Sequence, residues 1–166
     1  MPAQLIRILA RLLVGTSFAV GLCVLAPHGH AQSGPFSGMA GSWSGNGRID
    51  LEAGGSEPIR CRATYTVGRD GSTLEQQLRC ASDSYRFEVS SSVQSQAGTL
   101  SGSWSEMTRN VTGQLSGRVA GGRIQAKVEA GGFAANLTVH TNGNSQSVSI
   151  VPQGSDVRLV AVTMRK

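Results

Sequence analysis

The chain reads as an all-β protein, a single antiparallel up-and-down barrel of about ten strands that follows a cleaved signal peptide. Three observations predict this. From Gly41 onward nearly every segment alternates apolar and polar residues and ends in turn residues such as Asp70-Gly71, Gly121-Gly122, Gly131-Gly132 and Asn142-Gly143. Beyond the first 31 residues no stretch keeps helical spacing over three turns. Read as hairpin loops, the turns also bring the apolar residues of successive strands onto one common face, as a half-buried sheet requires. A meander of this kind has two open edges, and closing into a barrel removes them. A two-sheet β-sandwich is the alternative architecture.

In chain order, Arg7 and Arg11 precede an apolar run from Leu12 to Ala26, followed by small residues at Gly29 and Ala31. That is the pattern of a secretory signal peptide over residues 1–31. The apolar run has 15 residues, short of the ~20 of a spanning helix, which argues against an N-terminal anchor and for no membrane span in the mature chain. Cys23 follows Leu22 rather than a small residue, so it does not mark a lipoprotein and leaves with the signal. The mature residues 32–166 then hold two cysteines, Cys61 and Cys80, an even number that suits one disulfide in an exported protein, periplasmic or extracellular. Residues 32–40 form a flexible lead-in whose Phe36 and Met39 plug one barrel end, and residues 41–166 form the barrel domain.

The strands are expected over 41–51, 59–67, 73–80, 85–93, 99–106, 111–119, 123–130, 133–140, 145–151 and 157–165. Asp70-Gly71 favours a two-residue turn of the type I′ kind, which sets Cys61 opposite Cys80. A turn at Ser82-Asp83 pairs Cys80 with Tyr85. The two Gly-Gly turns pair Leu115 with Val128 and Val128 with Ala135. Asn142-Gly143 pairs Leu137 with Val148, and Gly154-Ser155 pairs Ile150 with Leu159. Val157, Leu159 and Ala161 then point inward, leaving Val160, Val162 and Met164 outside with Arg158, either beneath the lead-in or at an interface. Elsewhere the outward positions are polar, which is the reverse of an outer-membrane barrel.

Composition narrows the function. The formal charge of +5 falls to +3 without Arg7 and Arg11, a mild excess that predicts no nucleic-acid partner. Arg60, Arg62, Arg79 and Arg86 share one outer face, but Glu57, Glu75 and Glu88 share it too, so a mixed-charge sheet with cross-strand ion pairs is expected there. The mature chain has one histidine, His140, expected outside, and no spacing that marks a nucleophile, base and orienting acid. No catalytic residue, metal ligand or cofactor is therefore assigned, and the protein is expected not to be an enzyme.

Gly41-Ser42-Trp43-Ser44 recurs as Gly102-Ser103-Trp104-Ser105. The first copy, a Gly-x-Trp opening the first strand, resembles the pattern of calycins, the superfamily of lipocalins, fatty-acid-binding proteins and avidins. The resemblance implies that Trp43 closes one barrel end under a basic residue from a late strand, and Arg158 suits that role. A bacterial metalloprotease-inhibitor family, small exported barrels with a Gly-x-Trp and one disulfide, is similar as well. Trp104, on the fifth strand, is expected to cover Gly113 across the strand pair.

The inward set includes Trp43, Tyr65, Tyr85, Phe87, Trp104 and Leu137, the candidate lining of a lumen, together with small residues such as Gly45, Gly47, Gly102 and Ala126. A barrel of this size with small lining residues can hold a small ligand. The leading expectation is an exported, non-enzymatic barrel that binds a small apolar molecule inside. The alternatives are a secreted or periplasmic enzyme inhibitor that takes a protein partner, and a structural envelope protein without ligand.

Overall fold

The computed structural model describes residues 34–166, so the expected signal peptide and the first two lead-in residues lie outside the described residues. Ten strands follow one another: β1 Gly41–Leu51, β2 Ser56–Val67, β3 Thr73–Ala81, β4 Arg86–Gln96, β5 Thr99–Glu106, β6 Val111–Ala120, β7 Arg123–Ala130, β8 Phe133–Asn142, β9 Ser145–Gln153 and β10 Val157–Arg165. Each pairs antiparallel with its chain neighbours, and β10 returns to β1 to close the barrel. Among the described residues no helix is long and apolar enough to cross a membrane.

The register follows the turns where these are tight. Leu115 faces Val128, and Val128 faces Ala135. Cys61 faces Cys80 with their Cα atoms 4.1 Å apart, and the two sulfurs are bonded. The loop that sets this pairing is not the two-residue type I′ turn. Gly68 and Thr73 close a four-residue loop in which Gly71 alone takes a positive φ, of 71°. A four-residue and a two-residue loop centred on the same bond give the same pairing, so the register survives the wrong turn type.

Elsewhere it slides. The β3–β4 loop runs over Ser82–Tyr85, closed by the Ser82 amide donating to the Tyr85 carbonyl at 2.9 Å, so Cys80 faces Phe87 rather than Tyr85. The β8–β9 turn is Gly143-Asn144, and Leu137 faces Ile150. Both shifts are of two residues, which leaves the inward face unchanged. The last hairpin shifts by one. Ile150 faces Val160, because β10 carries a bulge where Asp50 and Leu51 of β1 meet Leu159 and Val157. An extra residue in one strand turns its neighbours over. Val160, Val162 and Met164 therefore point inward, while Leu159 and Ala161, expected inside, lie on the outer side.

Five inward glycines shape the wall. A Cβ on Gly45 or Gly47 would run into the Thr163 or Ala161 carbonyl of β10, so these residues allow β1 and β10 to approach closely rather than enlarging the interior. On β5 and β6, Gly102, Gly113 and Gly117 meet the neighbouring strand in the same way.

The two barrel ends differ. At the end holding the β2–β3, β4–β5, β6–β7 and β8–β9 turns, residues 34–40 fold across the opening. The Gly34 amide donates to the Asp70 carbonyl at 2.8 Å and the Phe36 amide to that of Gly71 at 3.0 Å. Phe36 is 0% exposed and Met39 4%. Beneath them Trp43, Tyr65, Leu74, Leu100, Val119 and Met164 are all buried. This end is sealed.

Candidate functional site

Above that floor the interior stays packed along β1, β2 and β10, where Ile49, Ile59 and Val157 are buried, and loosens on the facing side. The inward side chains of Leu78, Val89, Trp104, Val128, Leu137 and Ile150 are only half-buried, although each belongs to the face that is fully buried at the sealed end. These apolar groups keep solvent-accessible surface on the inner face of the barrel. Trp104 lies across Gly113, whose Cβ would come within 2.7 Å of the indole nitrogen, and its ring meets Phe133 edge-on at 5.9 Å.

The floor is polar. The Tyr65 hydroxyl donates to Gln146 Oε1 at 2.9 Å, and Gln146 Nε2 donates to Thr141 Oγ1 at 3.0 Å. Nearby, the Ser91 hydroxyl donates to Gln76 Oε1 at 3.0 Å. Burial pushes the Tyr65 phenol well above the usual tyrosine range, and the hydrogen bond to Gln146 only partly opposes this, so the phenol stays neutral. The interior thus combines apolar walls with a few neutral hydrogen-bonding groups, which suits a small, mainly apolar molecule better than an ion.

The rim carries the charges. Glu106 accepts hydrogen bonds from the amides of Glu88, Thr108 and Arg109 and from the Thr108 hydroxyl. Partial burial pulls its carboxyl up, but these bonds together outweigh it and hold the group below the ordinary glutamate range. Arg109 sits 5.4 Å over the Phe87 ring and 3.7 Å from Glu106. Across the mouth, the Tyr85 hydroxyl donates to Asp156 Oδ2 at 2.8 Å, and this bond, with smaller help from burial, raises the Tyr85 phenol. Among the described residues no three His, Cys, Asp or Glu side chains come together to hold a metal.

The six residues expected to line the lumen divide accordingly. Phe87, Trp104 and Leu137 stand in the open half, and Trp43 and Tyr65 belong to the sealed floor. Tyr85, expected on the strand opposite Cys80, is instead a loop residue at the mouth, stacked on Phe87 with ring centres 6.2 Å apart. The basic residue over Trp43 is Lys166, with its ammonium 5.5 Å from the ring, and not Arg158, which lies toward the other end and approaches Asp50 at 3.7 Å. Gln76 and Gln146 were missed. Gln146 shares the two-residue phase of Val148 and Ile150, and that phase is the signal that marks it as an inward polar group.

No protein-family model matches the sequence, and no curated protein is found as a relative. Solved structures do resemble it. Rv2717c from M. tuberculosis aligns with a TM-score of 0.61 at 14% identity, over 78% of this chain and 94% of its own. The S-type phycobiliprotein lyase CPES from Guillardia theta aligns with a TM-score of 0.52 at 12% identity, over 79% of this chain and 90% of its own. Both are calycin-like ten-stranded barrels. The likeness is one of fold.

It bears out the calycin resemblance of the Gly-x-Trp strand at that level. It also corrects the expectation that the protein is not an enzyme. A barrel of the same build is a lyase, so the lack of a nucleophile, base and acid in the sequence does not place this chain outside catalysis.

Proposed function

We propose that the protein is exported and holds a small, mainly apolar molecule in the open half of its barrel. The observation that carries this reading is the contrast inside one continuous apolar face, buried at the sealed end and along Ile49, Ile59 and Val157, and half-exposed around Leu78, Val89, Trp104, Val128, Leu137 and Ile150. Tyr65 and Gln146 below would orient a ligand with one polar end. The Cys61–Cys80 bridge supports an oxidising compartment.

Native mass spectrometry of the protein purified from its own host tests the proposal, with Nile red titration as a second measurement. A bound small molecule is expected, lost in Leu137→Trp, whose larger ring fills the hollow, while the melting temperature stays near that of the wild type. Protein that carries no adduct and binds no Nile red would sink the reading. An adduct retained in Leu137→Trp would move the site out of the lumen.

A further inference from the structure

The outer surface over β10, β1, β2, β3 and β4 holds a groove of about 840 Å³. Two rows of outward residues line it. One row reads Arg165, Ser44, Arg62, Arg79 and Glu88 across the five strands, and the next reads Thr163, Asn46, Arg60, Ala81 and Arg86. Short side chains between long ones make the trough. Its walls bring five arginines against one glutamate.

Of the expected mixed-charge sheet with cross-strand ion pairs, one pair forms, Arg79–Glu88. Glu57 turns to the Ser84 amide, from which it accepts a hydrogen bond at 2.6 Å, and Glu75 accepts one from the Ser92 hydroxyl at 2.7 Å. Only Glu88 lines the groove. Its pair with Arg79 spans 3.9 Å between side chains that are 79% and 40% exposed, a geometry worth little. Among the described residues Arg60, Arg62, Arg86 and Arg165 pair with no carboxylate. Arg62 and Arg79 stand directly opposite each other, an arrangement that destabilises a sheet unless an anion lies between.

We propose that this groove binds a ligand carrying two or more phosphate groups. Arginine forks match phosphate oxygens two at a time. The opposed Arg62 and Arg79 supply two positive charges to one point, which suits a phosphate near −2 better than a carboxylate at −1. The second row lies two residues along the strands, about 6.8 Å away. There Arg60 and Arg86 flank Ala81, whose single methyl leaves room for a second phosphate between them. The phosphates can belong to a soluble molecule or to lipid headgroups.

Isothermal titration of the full mature protein with tripolyphosphate at low salt tests this. The wild type is expected to bind, and Arg62→Ser and Arg79→Ser are each expected to weaken binding about tenfold, the loss of one charge-assisted contact. Arg62→Glu faces Arg79 with an opposite charge, so it should abolish binding while keeping or raising the melting temperature. Arg118→Ser/Arg123→Ser, on the outer face of β6 and β7, should leave binding unchanged. Co-sedimentation with phosphatidic acid vesicles, lost in Arg62→Glu, would identify a lipid source, and binding of tripolyphosphate alone a soluble one. The proposal is overturned if tripolyphosphate does not bind, if the Arg118/Arg123 variant weakens binding as much, or if polygalacturonate of equal charge binds as tightly.

Discussion

Two copies of one tetrapeptide end in opposite situations. Trp43 and Trp104 both sit in Gly-Ser-Trp-Ser at inward positions of a strand. Trp43 is 1% exposed, donates its indole N–H to the Met39 carbonyl at 2.7 Å and lies under Lys166. Trp104 donates to the Gln114 carbonyl at 3.2 Å, covers Gly113 and remains half-buried. The residues that flank each ring, Gly-Ser before and Ser after, are the same and cannot explain the contrast. What differs is the cover. Residues 34–40 and Lys166 close over Trp43, and among the described residues no equivalent segment closes over Trp104. The exposure of these two inward rings therefore follows what crosses the barrel end beside each.

The sharpest way to break this comparison is to truncate both rings. Trp43→Ala should cost roughly 3–5 kcal/mol, the usual loss for a fully buried indole that leaves a hole. Trp104→Ala should cost only about 1–2 kcal/mol, since part of its surface already meets solvent and less burial is lost. Urea unfolding of the two variants measures the difference, and equal losses would mean that the ends are equally packed. The next effect is the disulfide. Cys61→Ala/Cys80→Ala frees a loop of about 20 residues and should lower stability by roughly 3 kcal/mol in the chain-entropy model. The bridge joins β2 to β3, on the side of the barrel away from β7 and β8. Hydrogen exchange should accordingly rise more at Ala63 and Leu74 than at Val128 and Leu137. A uniform rise would show that the barrel opens as one unit.

Much of this was legible beforehand, and the exceptions share a cause. Turns at Gly121-Gly122 and Gly131-Gly132 admit one tight solution, so their hairpins pair as the sequence predicts. Asn142-Gly143-Asn144 offers two adjacent solutions, and Ser82–Tyr85 offers a two-residue or a four-residue loop. Alternation cannot choose between them, because a slip of two keeps every residue on its face. On β10 both faces are apolar, so alternation was silent there and the bulge at Arg158 decided the face. The candidate site was legible to the extent that it follows phase. Phe87, Trp104 and Leu137 were found, whereas the rim position of Tyr85 and the replacement of Arg158 by Lys166 depend on loop length and on where the chain end folds back.

The smallest effect separates the mouth from the floor by acidity. Tyr65 on the floor has its phenol raised by burial, so it keeps its proton throughout the acid and neutral range and contributes no pH dependence there. Glu106 at the mouth has its carboxyl lowered in the folded protein, net of burial, by the Thr108 hydroxyl and three amides. A carboxyl lowered on folding adds stability above its unfolded value, about 4.3, and this is lost as pH falls through the folded value. Glu106→Gln keeps the shape of the side chain but cannot ionise. The stability gap between wild type and Glu106→Gln should therefore be constant at neutral pH and narrow below about pH 4. A gap that stays the same down to pH 2 would mean that the amides of the β5–β6 loop are satisfied by something other than the Glu106 carboxylate, and the mouth would then owe its shape to the loop alone.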